Sequence, residues 1–191
     1  MIRRQETCCF CALHRQNFLP RPLNHLRWRT NKGHASQTAL ADKILALSQD
    51  ASGEGVVLVA YGDVTHHDEW ENCFGRLDNI VQAKTGVAEV LHCWFGHIAE
   101  YSREPTQSAI REILSRHDRA IVIPVLVARD KYFQEELIGG AISELRLADR
   151  IAYAADAILP DPSLNKWVVS IVRESYAMIH EGKLQSREQS R

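Results

Sequence analysis

Side chains that can bind a metal ion or accept a proton follow the apolar segments of this chain. They are Tyr61, His66, His67, His97 and Glu135. Imidazole and carboxylate groups bind divalent transition metals, and a neutral imidazole also accepts protons near pH 7. If these side chains converge in the fold, we expect a metal site of histidine and carboxylate ligands with one position open for a substrate.

The hydrophobic pattern predicts the elements that position these side chains. Apolar segments predict strands at 56–60, 87–95, 120–127 and 151–154. Amphipathic segments predict helices at 36–48, 68–84, 106–116, 132–144 and 162–179. In the last helix the spacing predicts a buried face of Leu164, Val168, Ile171 and Val172. Apolar strands separated by helices are typical of a parallel sheet covered on both faces. We therefore predict an α/β fold, a three-layer αβα domain with a mostly parallel four-stranded sheet.

Ligands of such sheets bind beyond the carboxyl ends of the strands. Three segments of this chain occupy that position: 61–68, 95–104 and 128–136. The first and second contain the histidines of interest, and the third contains Glu135 beside the charged residues Arg129 and Lys131. The predicted fold therefore brings all the candidate side chains to one edge of the sheet.

Composition and charge limit the protein class. With 191 residues, 45% hydrophobic and 25% charged, the chain fits one globular core, which we predict at 36–182 with a polar tail at 183–191. Every apolar run is far shorter than the roughly 20 residues that span a bilayer, so we expect no membrane partner. Residues 1–35 carry a charge of +6 and the remainder −7. A core without a basic stripe does not favour nucleic acid as a partner.

The cysteines and the N-terminal segment give weaker indications. Five unevenly spaced cysteines are not typical of a disulfide framework, and they indicate a reducing, cytoplasmic location. Residues 1–35 lack an apolar period, which predicts a disordered or loosely packed segment. Cys8, Cys11 and His14, with His25 beyond, have the spacing of half a zinc site. The alternative, which we favour, is a segment that takes no part in the fold.

The order of the strand-end motifs resembles a known family. "VVLVAYG", a long helix, a strand, a helix and then "RAIVIPVLVARDKYFQEEL" resemble the class II chelatases, the CbiX-type sirohydrochlorin cobaltochelatase and ferrochelatase group. The resemblance covers residues 56–181. The helix at 36–48 and the segment "AILPDPSLNKWV" are similar to the C-terminal lobe of two-lobed members.

The resemblance implies metal insertion into a tetrapyrrole such as sirohydrochlorin. That activity belongs to the lyase class and takes divalent Co, Fe or Ni as a substrate, with no tightly bound cofactor. The family's two metal-binding histidines correspond to Tyr61 and Tyr132, and its acidic position corresponds to Glu135. A phenol with a pKa of about 10 keeps its proton at pH 7 and is a poor ligand for Co²⁺. We expect other imidazoles to compensate, and the candidates are His66, His67 and His97.

Several interpretations remain open from the sequence. The chain is an active chelatase, or it is a catalytically silent lobe that pairs with an active partner module or only binds tetrapyrrole. A homodimer and pairing with a second chelatase lobe both fit the resemblance. Arg129 and Lys131 would bind the carboxylates of the tetrapyrrole, but a solvated loop fits equally. Trp94 would stack on its ring, although an aromatic residue at a strand end is more often part of the core. The pair His66 and His67 is also typical of a solvated helix cap.

Overall fold

Four parallel strands form one sheet in the computed structural model, which describes residues 31–62 and 64–188. The strands are β1 (Glu54–Tyr61), β2 (Glu89–Phe95), β3 (Arg119–Val125) and β4 (Ile151–Tyr153). Their order is β2-β1-β3-β4, and all three pairings are parallel. The predicted α/β fold class is confirmed, and the sheet within the described residues is entirely parallel.

Helices cover both faces of this sheet. They are α1 (Asn31–Leu47), α2 (His67–Thr85), α3 (Glu104–Arg116), α4 (Gly140–Leu145) and α5 (Pro162–Glu188). A π-helix (Tyr132–Gly139) leads directly into α4. Helices α1 and α2 pack on one face, whereas α3 and the segment of π-helix and α4 pack on the other. The arrangement is the predicted three-layer αβα domain.

The central strand β1 explains why the sequence pattern is continuous rather than alternating. Val56, Leu58 and Ala60 point to the face covered by α1 and α2, while Val57 and Val59 point to the face covered by α3. All five are at most 1% exposed. A strand buried on both faces needs apolar residues at every position, because neither set of side chains meets water.

Some element boundaries differ from the predictions. Helix α1 begins at Asn31 rather than at residue 36, and α5 continues to Glu188 rather than ending near 179. The predicted helix at 132–144 is present, but its first part is π-helical. The cysteine and histidine motif at 8–25 lies outside the described residues. In the described part of the chain, no helix has both the length and the apolarity needed to cross a membrane.

The predicted buried face of α5 is wrong in part. Val168 is 49% exposed and Val172 is 61% exposed, whereas Leu164 packs on the core cluster beneath α1. Helix α5 packs chiefly on α1. A helix in that outer position covers a narrower stripe than one that lies on a sheet, so two of the four residues predicted to be buried stay accessible.

Candidate functional site at the carboxyl edge of the sheet

Strands β1 and β2 end side by side, which brings their following loops together. Tyr61 and Phe95 are partners in the parallel register, and Gly62 donates its backbone N–H to the Phe95 carbonyl at 3.4 Å. Two residues beyond Phe95, the His97 ring lies against the Tyr61 ring with a centroid distance of 5.8 Å and an interplanar angle of 87°. Two of the predicted site residues therefore meet at this edge.

Tyr61 belongs to a group of aromatic rings on the α3 side of the sheet. We call this group the aromatic cluster; its members are Tyr61, Phe95, His97, Tyr101 and Phe133. Tyr61 meets Phe133 edge-on at 5.5 Å, and Tyr101 stacks on Phe133 at 6.2 Å with an interplanar angle of 17°. Edge-to-face pairs of this kind each contribute about 0.5–1.5 kcal/mol beyond their burial. The Tyr61 ring thus has a packing role at the position where the resemblance expects a metal ligand.

The chain turns sharply after β2, through several residues with positive φ. Gly96 has φ 85°, and a Cβ atom at this position would lie 2.4 Å from Tyr61 Cε2. Glu100 and Tyr101 also adopt positive φ, at 49° and 57°. Left-handed backbone at residues other than glycine costs about 1–2 kcal/mol each. The loop bends back so that the Tyr101 hydroxyl lies 3.1 Å from His97 Nε2.

A second polar group lies on the opposite, α2 side of the sheet. The Trp94 indole N–H donates a hydrogen bond to Glu71 Oε1, and the other Glu71 oxygen lies 3.2 Å from His92 Nε2. His92 Nδ1 in turn lies 2.6 Å from Asp78 Oδ2. His67 joins at the margin, with Nε2 3.9 Å from Glu71 Oε1. We call these five residues the α2-side network.

Trp94 is the member of the network that reaches the carboxyl edge. Its ring packs against Phe74 at 4.9 Å and against His67 at 6.2 Å. A Cβ atom on Gly62 would lie 2.8 Å from Trp94 Cε3, so the indole lies directly against the chain that leaves β1. The sequence suggested either a stacking surface or a core residue. In the structure Trp94 is partly buried, and its N–H is hydrogen-bonded to Glu71.

Burial and charge shift the pKa values within the network. Burial alone would lower the pKa of His92, but the hydrogen bonds and charges of Asp78 and Glu71 raise it above its ordinary value. Burial raises the pKa of Asp78, against the opposing effect of His92. Burial also opposes ionisation of Glu71, yet the hydrogen bonds from Trp94 and His92 bring its pKa below its ordinary value.

The histidines proposed as metal ligands occupy separate places. His66 is exposed at the start of α2, His67 lies beside Trp94, and His97 lies beside Tyr61 on the other face of the sheet. Across residues 31–62 and 64–188, no group of three or more His, Cys, Asp or Glu side chains is arranged to hold a metal ion. His97 is the imidazole that contacts the Tyr61 position directly.

The predicted residues after β3 are mostly exposed. Tyr132 is 51% exposed and meets Phe133 edge-on at 5.6 Å. Glu135 Oε1 accepts a hydrogen bond from Arg129 Nη2 at 3.0 Å, and both side chains face solvent, as does Lys131. These charges are therefore accessible to a ligand at the rim of the edge.

Gln134, which the sequence did not single out, holds this loop in place. Its side chain is fully buried, and its Oε1 accepts the Asp130 backbone N–H at 2.9 Å. Its Nε2 donates to the Asp156 carbonyl at 2.6 Å, which joins the loop after β3 to the chain after β4. A buried amide between Phe133 and Glu135 gives no periodic signal, because its partners come from a distant part of the chain.

Comparisons with protein-family models, with curated proteins and with solved structures gave no match. The chelatase resemblance therefore rests on the strand-end motifs of the chain.

Proposed function

We propose that this chain is a class II chelatase-like lobe that binds a tetrapyrrole at the carboxyl edge of its sheet. The contact between Tyr61 and His97 carries the proposal. It places an imidazole directly beside the position at which the resemblance expects the first metal-binding histidine. Ligands of open parallel sheets bind at this edge, beyond the strand ends.

The surroundings of that contact suit a flat, acidic macrocycle. Tyr101 and Phe133 form a stacked pair on one side, and Trp94 lies on the other side of the sheet edge. Aromatic rings of this kind stack on planar ligands. Arg129 and Lys131 are exposed at the rim, where their charges would pair with peripheral carboxylates. The ion pair of Arg129 with Glu135 is solvent-exposed, so exchange of Glu135 for a ligand carboxylate costs little.

Metal insertion is the activity that we propose for this site. The substrates are a divalent Co, Fe or Ni ion and a metal-free tetrapyrrole such as sirohydrochlorin. Insertion requires a group that holds the ion weakly and a base that accepts the two pyrrole protons. His97 is exposed and has its ring nitrogens within 3.3 Å of the Tyr101 hydroxyl, which can donate to or accept from the imidazole. We therefore assign to His97 either weak binding of the incoming ion or acceptance of one pyrrole proton, with the other proton passing to solvent.

A catalytically silent lobe is the second candidate. Packing of Tyr61 between Phe95 and Phe133 favours it, because that ring stabilises the fold instead of presenting a ligand. The separate positions of His66, His67 and His97 also favour it. In this case the chain binds tetrapyrrole, or pairs with a lobe that supplies the metal ligands.

One experiment tests the proposal and ranks the two candidates. Sirohydrochlorin is titrated into the purified full chain, and binding is followed by the absorption spectrum and by quenching of tryptophan fluorescence. Co²⁺, Fe²⁺ and Ni²⁺ are then added separately to the complex. Faster insertion than in a protein-free control supports the chelatase. Binding without acceleration by any metal supports the silent lobe. Absence of binding would overturn the chelatase and the tetrapyrrole-binding form of the silent lobe, and would leave only a lobe that pairs with a partner module.

A further inference from the structure

The α2-side network contains a histidine held between two carboxylates. His92 Nδ1 lies 2.6 Å from Asp78 Oδ2, and His92 Nε2 lies 3.2 Å from Glu71 Oε2. An ionised carboxylate can only accept hydrogen bonds, and a neutral imidazole has only one N–H to donate. Both contacts are hydrogen bonds to ionised carboxylates only when His92 carries a proton on each nitrogen.

The groups around His92 reinforce this requirement. In the described chain, the charged or titratable groups that face it are Asp78 and Glu71 from α2, and His67 reaches the network through Glu71. Strand β1 presents Leu58 opposite His92 in the register. Phe74 covers the ring at a centroid distance of 5.5 Å. The imidazolium thus has two negative partners and an otherwise apolar environment.

The same contacts control the position of Trp94. Glu71 uses Oε1 to accept the Trp94 indole N–H and Oε2 to contact His92. A neutral His92 has a lone pair on one ring nitrogen in place of a proton. That lone pair would face a carboxylate oxygen, so the hydrogen bond at that end of the network would be lost. Glu71 is 43% exposed, so a released carboxylate can turn to solvent. The indole then loses the acceptor that fixes it against Gly62.

We propose that Asp78, His92 and Glu71 form a proton-dependent chain of positioning residues that fixes Trp94 at the ligand-binding edge. The identity of the ligand rests on the proposed function, whereas the hydrogen-bonded chain of these three residues is a property of the unliganded protein. The indole is fixed while His92 carries both ring protons and Asp78 is ionised. Outside that state the edge loses one of its aromatic surfaces, and the tetrapyrrole affinity falls.

The sign of the pH dependence follows from His92 and Asp78, which are both partly buried. The pKa of His92 is raised, so its contribution is present at lower pH and is lost as pH rises through that raised value. The pKa of Asp78 is also raised, and protonation of this carboxyl as pH falls removes the partner of His92 Nδ1. Trp94 is therefore fixed only at pH values at which Asp78 has lost its proton and His92 carries both of its ring protons.

The first test uses the unliganded full chain. NMR with ¹⁵N labelling follows the ring nitrogens of His92 and the indole N–H of Trp94 through the pH range, and Trp94→Phe assigns the indole signal. We expect both His92 nitrogens to be protonated at about pH 6, and the indole signal to shift with the same midpoint as His92 deprotonation. An indole signal that does not move while His92 titrates would overturn the proposal, as would a neutral His92 at about pH 6.

The second test compares variants for sirohydrochlorin affinity. Glu71→Gln keeps an oxygen acceptor for Trp94 but loses the charge that holds His92. His92→Gln has a single donor nitrogen in place of the two ring nitrogens that contact Asp78 and Glu71. We expect either variant to bind about two- to tenfold more weakly than the wild type at the wild-type optimum, and to lose its pH dependence. Glu69→Gln, on the exposed side of the same helix, and His117→Gln, which pairs with Glu89 elsewhere, are the matched controls.

The two tests separate failure of this inference from failure of the proposed function. If the wild type binds no tetrapyrrole at any pH, the proposed function fails, and the NMR titration alone decides whether the positioning chain exists. If the wild type binds and the Glu71 and His92 variants bind equally well with the same pH profile, the proposed function stands and the positioning chain is wrong.

Discussion

Tyr61 and His97 lie edge to face at the ends of two neighbouring parallel strands, with ring centroids 5.8 Å apart. The contact exists because Tyr61 and Phe95 share the strand register and because Gly96 turns the chain back over the Tyr61 ring. Under the proposed function, it joins the residue that the resemblance aligns with a metal-binding histidine to the imidazole that we assign to that role. Most of the predictions about function concern this pair.

Replacement of His97 should separate ligand binding from metal insertion. In His97→Ala we expect the rate of Co²⁺ insertion to fall about 100-fold, because the group that accepts a pyrrole proton or holds the ion is gone. Sirohydrochlorin affinity should change far less, since the aromatic and charged residues remain. Stopped-flow absorbance gives the rate, and equilibrium titration gives the affinity.

The control for His97 is another exposed histidine away from the edge. His180→Ala, on α5, should insert metal at the wild-type rate. If both variants lost the same share of the insertion rate, the loss would be a general effect of removing an imidazole. An unchanged rate in His97→Ala would remove His97 from the proposed chemistry.

Introducing histidine at the two positions that the resemblance aligns with metal ligands tests the silent-lobe candidate. If the chain has lost its ligands, the double variant Tyr61→His and Tyr132→His should bind Co²⁺ with an affinity that the parent lacks, as measured by calorimetry. The exposed Tyr132 should tolerate the change, whereas Tyr61→His should cost roughly 1–3 kcal/mol, since a smaller and more polar imidazole replaces the phenol ring that packs on Phe133. Equal Co²⁺ binding by the parent and the double variant would argue against lost ligands.

Gly96→Ala should destabilise the protein through two effects that a control can separate. The new Cβ would meet the Tyr61 ring at 2.4 Å, and the backbone has φ 85°. Gly86→Ala has a similar φ of 73° but nothing within 4 Å of its Cβ, so it reports the backbone effect alone. We expect urea unfolding to show about 1 kcal/mol of destabilisation for Gly86→Ala and about 1–3 kcal/mol more for Gly96→Ala.

Combining Gly96→Ala with Tyr61→Ala identifies the source of that extra cost. Removing the Tyr61 ring relieves the clash, so the double variant should be more stable than the sum of the two single changes predicts. If the changes in the free energy of unfolding were strictly additive, the cost of Gly96→Ala would not come from a clash with the Tyr61 ring.

The buried carboxylate of Glu54 should make Arg119 important for stability. Glu54 is 2% exposed, and its Oε1 accepts a hydrogen bond from Arg119 Nη1 at 2.6 Å. Arg119→Met leaves that charge without its cation, so we expect a loss of about 3–5 kcal/mol in the free energy of unfolding. Arg116→Met breaks an exposed pair with Glu89 and should cost less than about 1 kcal/mol. Similar costs for the two variants would contradict this distinction.

Glu54 also predicts an acid dependence of stability. Burial opposes its ionisation, but hydrogen bonds from Ser48, Gln49 and Arg119 lower its pKa below the ordinary value. The stability that it contributes is therefore present above its unfolded-state pKa and is lost as pH falls through the lowered value. Arg119→Met should flatten the stability profile in that acidic range, as measured by urea unfolding at a series of pH values. An unchanged profile would assign the acid dependence to other carboxyls.

Cys93 should be unreactive in the folded protein. Burial raises the pKa of its thiol to about 12, with Thr106 Oγ1 3.9 Å from the sulfur as a minor opposing influence. Because the thiolate is the nucleophile, iodoacetamide should leave Cys93 unmodified at neutral pH and label it fully in urea. Peptide mass spectrometry resolves this site from the other cysteines. Rapid labelling under native conditions would mean that the β2 edge opens.

Some features of the candidate site could be predicted from the sequence, and others could not. The strand-end positions of Tyr61 and His97 could be predicted, because apolar segments separated by helices require a parallel sheet whose ligand edge lies at the carboxyl ends. Glu71 and Gln134 could not be predicted. Each makes its key hydrogen bonds to residues far along the chain, and such partners leave no local period.

The sequence by itself determined the α/β class, the approximate bounds of the strands and the edge at which side chains that can act chemically would gather. These features follow from local hydrophobic periodicity and from the geometry common to parallel sheets. Only the tertiary structure decided which side chains meet: His97 contacts Tyr61 on the α3 side, while His67 and His92 join Trp94 on the α2 side. The division arises because neighbouring residues on a strand point to opposite faces of the sheet, so the register and the loops, and not proximity in sequence, assign each side chain to a site.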